Sequence, residues 1–195
     1  MSYIPGNKIA AGPVLLSTRV SSDVADRLEL FEKLMLPHLN AAHNLARWIT
    51  RSDQDAQDVV QEAYLRAFRF FDAFKGGDGK AWLLEIVRNT CRTFHSRRRE
   101  EPMPFDDAVD VQSDTSVEVE ERLDDERKAD VLRRCIEALP VEFREVLIMR
   151  EFEEMSYKQI ADATELATGT VMSRLYRARK RLQECAKRRR KEAAR

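Results

Sequence analysis

The sequence predicts an all-α chain: two small helical domains joined by a flexible acidic linker, the second containing a helix-turn-helix. Three observations lead there. Apolar residues recur at spacings of three and four through most of the chain, and no segment reads as a strand. Gly and Pro number six each in 195 residues, too few for a turn-rich β fold. A Pro-containing acidic stretch without sustained period separates two periodic halves. The expected layout is a flexible arm over residues 1–22, a first domain over 23–99, the acidic linker over 100–121 and a second domain over 122–195.

The arm carries Gly, Pro and Ser and no helical period. From Ala25 onward, Leu28, Phe31, Met35, Leu39, Ala42, Leu45 and Ile49 form one helical stripe. Pro37 lacks an N–H and its ring clashes with the preceding turn, so it should kink or split this helix. Ser52 suits the N-cap of a second helix running to about Phe71, with Val59, Ala63, Tyr64, Ala67, Phe68 and Phe71 inward. Lys75-Gly76-Gly77-Asp78-Gly79-Lys80 is a loop. A third helix is expected from about Ala81 to Arg98, with Trp82, Ile86, Val87, Thr90 and Phe94 inward.

The second domain opens near Leu123 with a helix to about Leu139. Pro140 fits the first turn of the next helix, where no N–H is needed, and that helix carries Phe143, Val146, Leu147 and Met149. Ser156-Tyr157-Lys158-Gln159 reads as a capping box opening a short helix. A turn near Thr164 to Leu166 leads to a long last helix, whose inward stripe is Val171, Leu175, Ala178 and Leu182.

Composition excludes several classes. The 43% hydrophobic content is too high for a wholly disordered chain, and no apolar run nears the roughly 20 residues needed to span a bilayer. Gly12 and Pro13 break the mildly apolar run from Ile9 to Leu16, which argues against a signal peptide. Cys91, Cys135 and Cys185 are far apart and odd in number; they make no CxxC pair and no disulfide framework, which suits a reducing cytoplasm. Metal and cofactor sites are not expected. His38, His43 and His95 lack zinc-ligand spacing, and no Glu-x-x-His pair supports a di-iron bundle. The loop before the third helix lacks the phosphate-binding G-x-x-x-x-G-K-[ST] frame. Arginines near Cys91 could lower its pKa, but no His–Asn partner is evident, so packing is the expected role.

Charge sums to zero and is sharply segregated. Residues 100–130 hold thirteen acids and three bases; residues 166–195 hold eleven bases and two acids. Between Arg88 and Arg99 lie five arginines, one histidine and no acid. Two basic segments on amphipathic helices are what phosphate neutralisation requires, although a single such run is often a solvated face.

Three surfaces follow. The last two helices have helix-turn-helix proportions, and the outward face of the last carries Gly169, Thr170, Ser173, Tyr176, Arg177 and Lys180. Gly169 and Thr170 would let the backbone approach DNA closely, and Ser173 and Arg177 can donate to base edges or phosphates. Arg174, Arg179 and Arg181 lie toward the flanks and suit phosphates. The pattern alone fits a DNA reader and a structural helical hairpin equally. On the third helix, Arg88, Arg92, His95 and Arg99 form a basic stripe beside Asn89, able to hold a single strand or to stand as an ordinary charged face. On the second helix, Asp55, Asp58, Gln61, Glu62 and Leu65 share the face opposite the apolar stripe, either a protein-binding surface or a solvated one.

Three segments, in order, carry a resemblance. Residues 53–67, DQDAQDVVQEAYLRA, look like the core-binding helix of bacterial sigma factors, and residues 81–90, AWLLEIVRNT, resemble their −10-element helix. LPVEFREVL at 139–147, SYKQIA at 156–161 and GTVMSRLYRAR at 169–179 resemble their −35-reading domain. Size and layout look like the extracytoplasmic-function (ECF) group.

The resemblance implies a transcription factor without catalytic residues. Asp55, Asp58, Gln61, Glu62 and Leu65 would bind the clamp helices of the largest subunit of core RNA polymerase, and the flap of the second-largest subunit would be a further contact. Lys75, Asp78, Lys80, Arg88, Asn89 and Arg92 would capture and melt the −10 element of promoter DNA. Thr168, Gly169, Thr170, Met172, Ser173, Arg174, Tyr176 and Arg177 would read the −35 element. The group also implies an anti-sigma factor partner, no membrane insertion and a cytoplasmic location. Two other classes stay in view: a stand-alone helix-turn-helix repressor or activator, which needs no acidic face at Asp58 and Glu62, and a pure interaction protein, which needs no Ser173 or Arg177 on its last helix.

Overall fold

The computed structural model describes residues 15–100 and 121–193, and all regular structure there is helical. The expected linker and most of the N-terminal arm lie outside the described residues. The chain divides at Pro37/His38 into two compact units.

The first unit holds α1, Leu15–Met35. It starts within the stretch assigned to the arm: the helix-breaking Gly and Pro residues end at Pro13, and nothing after them stops a helix before Pro37. A 3₁₀ turn over Leu36–His38 carries that proline, so the expected long helix is split there.

The second unit begins with α2, Leu39–Thr50, which buries Ala42, Leu45, Ala46 and Ile49. Arg51 closes it in the left-handed region (φ 63°) and donates its N–H to the Arg47 carbonyl. Ser52 then caps α3, Asp53–Arg69, its hydroxyl accepting from the Asp55 N–H at 3.2 Å. Ala56, Val59, Val60, Ala63 and Ala67 face inward; Tyr64 and Phe68, expected inside, are half-buried. A short 3₁₀ turn, Phe71–Ala73, leads into the glycine loop, where Gly76 (φ 84°) and Gly77 (φ 102°) take backbone conformations that a side chain would strain. Asp78 ends the loop by accepting the Ala81 N–H at 3.1 Å, which starts α4, Gly79–Glu100. Helices α2, α3 and α4 pack pairwise into one core.

Beyond residue 120 come α5 (Glu121–Glu137), α6 (Val141–Glu151), α7 (Tyr157–Thr164) and α8 (Thr168–Ala193). Pro140 stands at the N-cap of α6. The capping box is complete: Ser156 Oγ accepts from the Gln159 N–H at 3.2 Å, and Gln159 Oε1 accepts from the Ser156 N–H at 2.6 Å. Glu165 (φ 55°) makes the left-handed turn between α7 and α8. Val171, Leu175 and Ala178 are buried as the period predicts, and Leu182 is half-buried.

The two helical groups are not separate within this unit. Helix α4 packs on α7, and α2 packs on α6. That explains two departures from single-stripe periodicity. Every residue from Phe143 to Met149 is buried, because α6 is covered by α7 and α8 on one side and by α2 on the other. Helix α4 likewise buries Leu83, Leu84, Val87, Arg88, Thr90 and Cys91, whereas Trp82, Ile86 and Phe94 are only half-buried.

One expectation on the cysteines is overturned. Cys135 of α5 and Cys185 of α8 form a disulfide across 50 residues of sequence. Their separation hid the pairing, since only packing of α5 on α8 brings the two Cα atoms to 5.8 Å. Cys91 is buried and free.

Candidate functional site

The outward face of α3 carries the first candidate set. Asp58, Gln61, Glu62 and Leu65 are exposed, and Leu65 retains 60% of its surface. Glu62 accepts from Arg66 Nε one turn on at 2.7 Å. Asp55 differs: it is half-buried and ion-paired with Arg98 of α4, so it serves the packing of α3 on α4.

The second set splits in two. Lys75 and Arg92 are exposed, and Asn89 is half-buried. Asp78, Lys80 and Arg88 are occupied by residues of α6, α7 and the turn between them. Gln159 donates its side-chain amide to Asp78 Oδ2. Lys80 Nζ donates to the Glu153 carbonyl at 2.7 Å and lies 3.0 Å from its carboxylate. Arg88 donates Nε to Glu145 Oε2 at 2.8 Å and Nη2 to Oε1 at 3.2 Å. Arg88 is 4% exposed, which corrects the reading of an outward stripe: α4 turns that face toward α6 and α7. His95, expected on the same stripe, is half-buried with its ring 3.4 Å from the Ile49 carbonyl. The Arg99 side chain lies outside the described ones.

Electrostatics follow the packing. Burial pushes the Asp78 carboxyl up, but hydrogen bonds from the Ala81 N–H, the Gln159 amide and the Lys80 N–H, with His38 nearby, outweigh it and hold it below its usual value. Burial, then Glu165 in the turn after α7 and Asp162 within it, push Glu85 up, against the pull of Arg88. Cys91 is pushed up to about 12 by burial and by Glu145, the reverse of what its arginine neighbours suggested.

The third set starts α8. Thr168, Gly169, Met172, Ser173, Tyr176 and Arg177 are exposed, Tyr176 by 68% of its surface, and Thr170 is half-buried. A Cβ built on Gly169 would meet nothing within 4 Å, so the helix start is open to whatever approaches. Ser173 donates its hydroxyl to the Thr170 carbonyl at 2.9 Å. Arg174 turns back, its Nη1 3.5 Å from Glu145 Oε1, and Arg179 pairs with Glu151 at 2.6 Å.

Three residues that periodicity did not single out thus hold this arrangement: Glu145, Glu153 and Gln159. Glu145 left one signal, a carboxylate standing directly before the apolar run from Val146 to Met149. No group of three or more His, Cys, Asp or Glu that could hold a metal occurs among the described residues. None of the described helices is long and apolar enough to cross a membrane.

This pairing of a three-helix group with a capped helix-turn-helix coincides with two family matches. Residues 34–101 match sigma-70 region 2, and residues 129–182 match sigma-70 region 4. The chain belongs to the sigma-70 family of RNA polymerase sigma factors. Its relatives place it more narrowly. It is 35% identical over 159 residues to the RNA polymerase sigma-H factor of Pseudomonas aeruginosa, covering 76% of this chain and 82% of that protein. It is 32% identical over 148 residues to the ECF RNA polymerase sigma-E factor of Escherichia coli, covering 70% and 78%. Among solved structures it resembles the sigma factor RpoE of Bartonella quintana, crystallised with the anti-sigma factor NepR, at a TM-score of 0.66 and 26% identity over 80% of this chain and 96% of that one. It is an ECF sigma factor.

Proposed function

We propose that this sigma factor binds core RNA polymerase through the outward face of α3, engages the −10 element through the loop at residues 75–80 and α4, and reads the −35 element with the start of α8. The observation that carries this reading is the α3 face. Leu65 stands exposed with Asp58, Gln61 and Glu62 on the face of α3 opposite its buried residues, within the region 2 match. An exposed leucine next to the polar groups of Gln61 and Glu62 at helical spacing offers a partner an apolar anchor with a polar rim.

The protein does no covalent chemistry in this account; it supplies binding free energy. Opening one base step costs a few kcal/mol, offset by contacts to the extruded strand. Each lost base contact in the −35 groove costs about 1–3 kcal/mol. The exposed hydroxyl of Thr168 and the guanidinium of Arg177 are the donors for that groove, and Ser173 would donate there only by giving up its bond to the Thr170 carbonyl. Regions 2 and 4 act as separate modules on the promoter, and tethering raises the local concentration of each on its half. Control by an anti-sigma factor in the cytoplasm is part of the proposal, and the RpoE–NepR complex of the relative supports it.

Run-off transcription with core polymerase and a promoter of this factor tests the reading. Wild type should yield a transcript that core alone does not. Arg177→Ala should reduce transcript from that promoter about tenfold or more while leaving core binding intact. A transcript insensitive to Arg177 would remove α8 from −35 reading.

A further inference from the structure

We propose that Glu145 is an internal substitute for promoter phosphate, clasping the DNA-reading surfaces of regions 2 and 4 together in the free chain. The inference deepens the proposed function and rests on its assignment of Arg88 and Arg174 to DNA.

Glu145 is 4% exposed and sits at mid-helix in α6. Its two oxygens take the fork of Arg88 from region 2, and Oε1 also faces Arg174 from the −35 helix at 3.5 Å. One carboxylate thus engages a candidate cation from each DNA surface, with the bidentate geometry an arginine uses on phosphate. Two further contacts extend the clasp. Glu153 takes Lys80 and accepts from Asn44 Nδ2 at 2.7 Å, and Gln159 takes Asp78. At the rim, Phe152 packs against Trp48 with ring centroids 5.9 Å apart. In all, three of the six residues assigned to the −10 element are held by region 4.

The clasp is built to release. Arg88 Nη1 is buried without a hydrogen-bond partner among the described residues. A buried guanidinium with one donor unsatisfied recovers only part of its desolvation cost, so the pair gives specificity of docking more than stability. Glu85 on the same helix feels the charges of Glu165, just past α7, and of Asp162 within it, a like-charge repulsion that opposes closure and that Arg88 partly offsets. A polyanion that neutralises Arg88 and Arg174 directly, or a polymerase surface that draws the regions apart, competes with one carboxylate. A chain that is mostly closed binds DNA more weakly by the fraction open, so loss of the clasp should raise core-free affinity.

The test is Glu145→Gln in the full chain, a change that keeps shape and removes charge. Small-angle X-ray scattering should show a larger radius of gyration than wild type. Fluorescence anisotropy with a fork-junction promoter duplex should show core-free binding about tenfold or more tighter. Arg88→Gln, which leaves the longer Arg174 contact on Glu145, should open the chain most of the way, and the double variant should open it no further than Glu145→Gln alone, because the Arg88 contact is already gone in that variant. Glu153→Gln, nearer the surface, should open it partially; it serves if Glu145→Gln fails to fold by circular dichroism. Unchanged radii in both carboxylate variants overturn the clasp. A chain that opens with no gain in DNA binding overturns the phosphate-substitute role and, separately, the assignment of Arg88 to the −10 element.

Discussion

Cys91 shows how a single side chain can be misjudged from its neighbours in sequence. Arg88 and Arg92 flank it by one helical turn or less, an arrangement that favours thiolate. The structure instead seals the sulfur in the α4 core, where burial dominates and Glu145 adds to it, and the thiol is pushed up to about 12. At neutral pH the buried group is a thiol rather than the reactive thiolate. Native protein at pH 7.5 should therefore leave Cys91 unmodified by iodoacetamide, and denatured protein should be modified fully; mass spectrometry of the residue 91 peptide decides. Arg88 teaches the complementary lesson. Its position at helical spacing with Arg92 was legible, but its burial was not, because one period describes one buried face and α4 has two.

At the scale of elements, the capped starts of α3 and α7 and the buried stripe of α8 followed from local rules that act within a few residues. The bond between α5 and α8 did not, since Cys135 and Cys185 meet only through tertiary packing. Closing a loop of about 50 residues restricts the unfolded chain by about 4 kcal/mol in the chain-entropy account. Reduction, or Cys135→Ser with Cys185→Ser, should lower the unfolding free energy by about 2–4 kcal/mol in a denaturant titration. Equal midpoints for oxidised and reduced protein would remove the disulfide from the stability of region 4. The α4–α7 contact carries a pH signature. Glu85 titrates above its usual value, from burial first, then Glu165 and Asp162, with Arg88 opposing. The packed chain therefore binds this proton more readily than the unpacked one, so packing strengthens as pH falls from neutral through the raised Glu85 value. Asp78 acts oppositely: its lowered value means its contribution is lost only at still lower pH, as it protonates. Glu85→Gln should flatten the first of these changes in scattering measured from pH 7 to 5, and a profile identical to wild type would contradict the repulsion.

For the whole molecule, the order of the three motifs was enough to identify an ECF sigma factor, because each is a local pattern and their sequence order is itself a constraint. What local patterns could not express is the arrangement from His38 onward, where region 4 residues occupy Asp78, Lys80 and Arg88. The groups responsible are Glu145 of α6, Glu153 of the turn after it and Gln159 of α7, and only the fold brings them to α4 and the loop before it. The side chains of Asp58, Glu62 and Leu65 stay exposed in this arrangement, so under the proposed function polymerase would engage the chain before the surfaces assigned to DNA are released.

That ordering makes polymerase binding the test on which the account stands. Purified chain, freed of any inhibitor, should co-elute with core RNA polymerase in gel filtration, and the variant Asp58→Arg/Glu62→Arg should elute alone while keeping its helical circular dichroism. A wild-type chain that never joins core, or a charge-reversed chain that joins it as well as wild type, would contradict the assignment of α3.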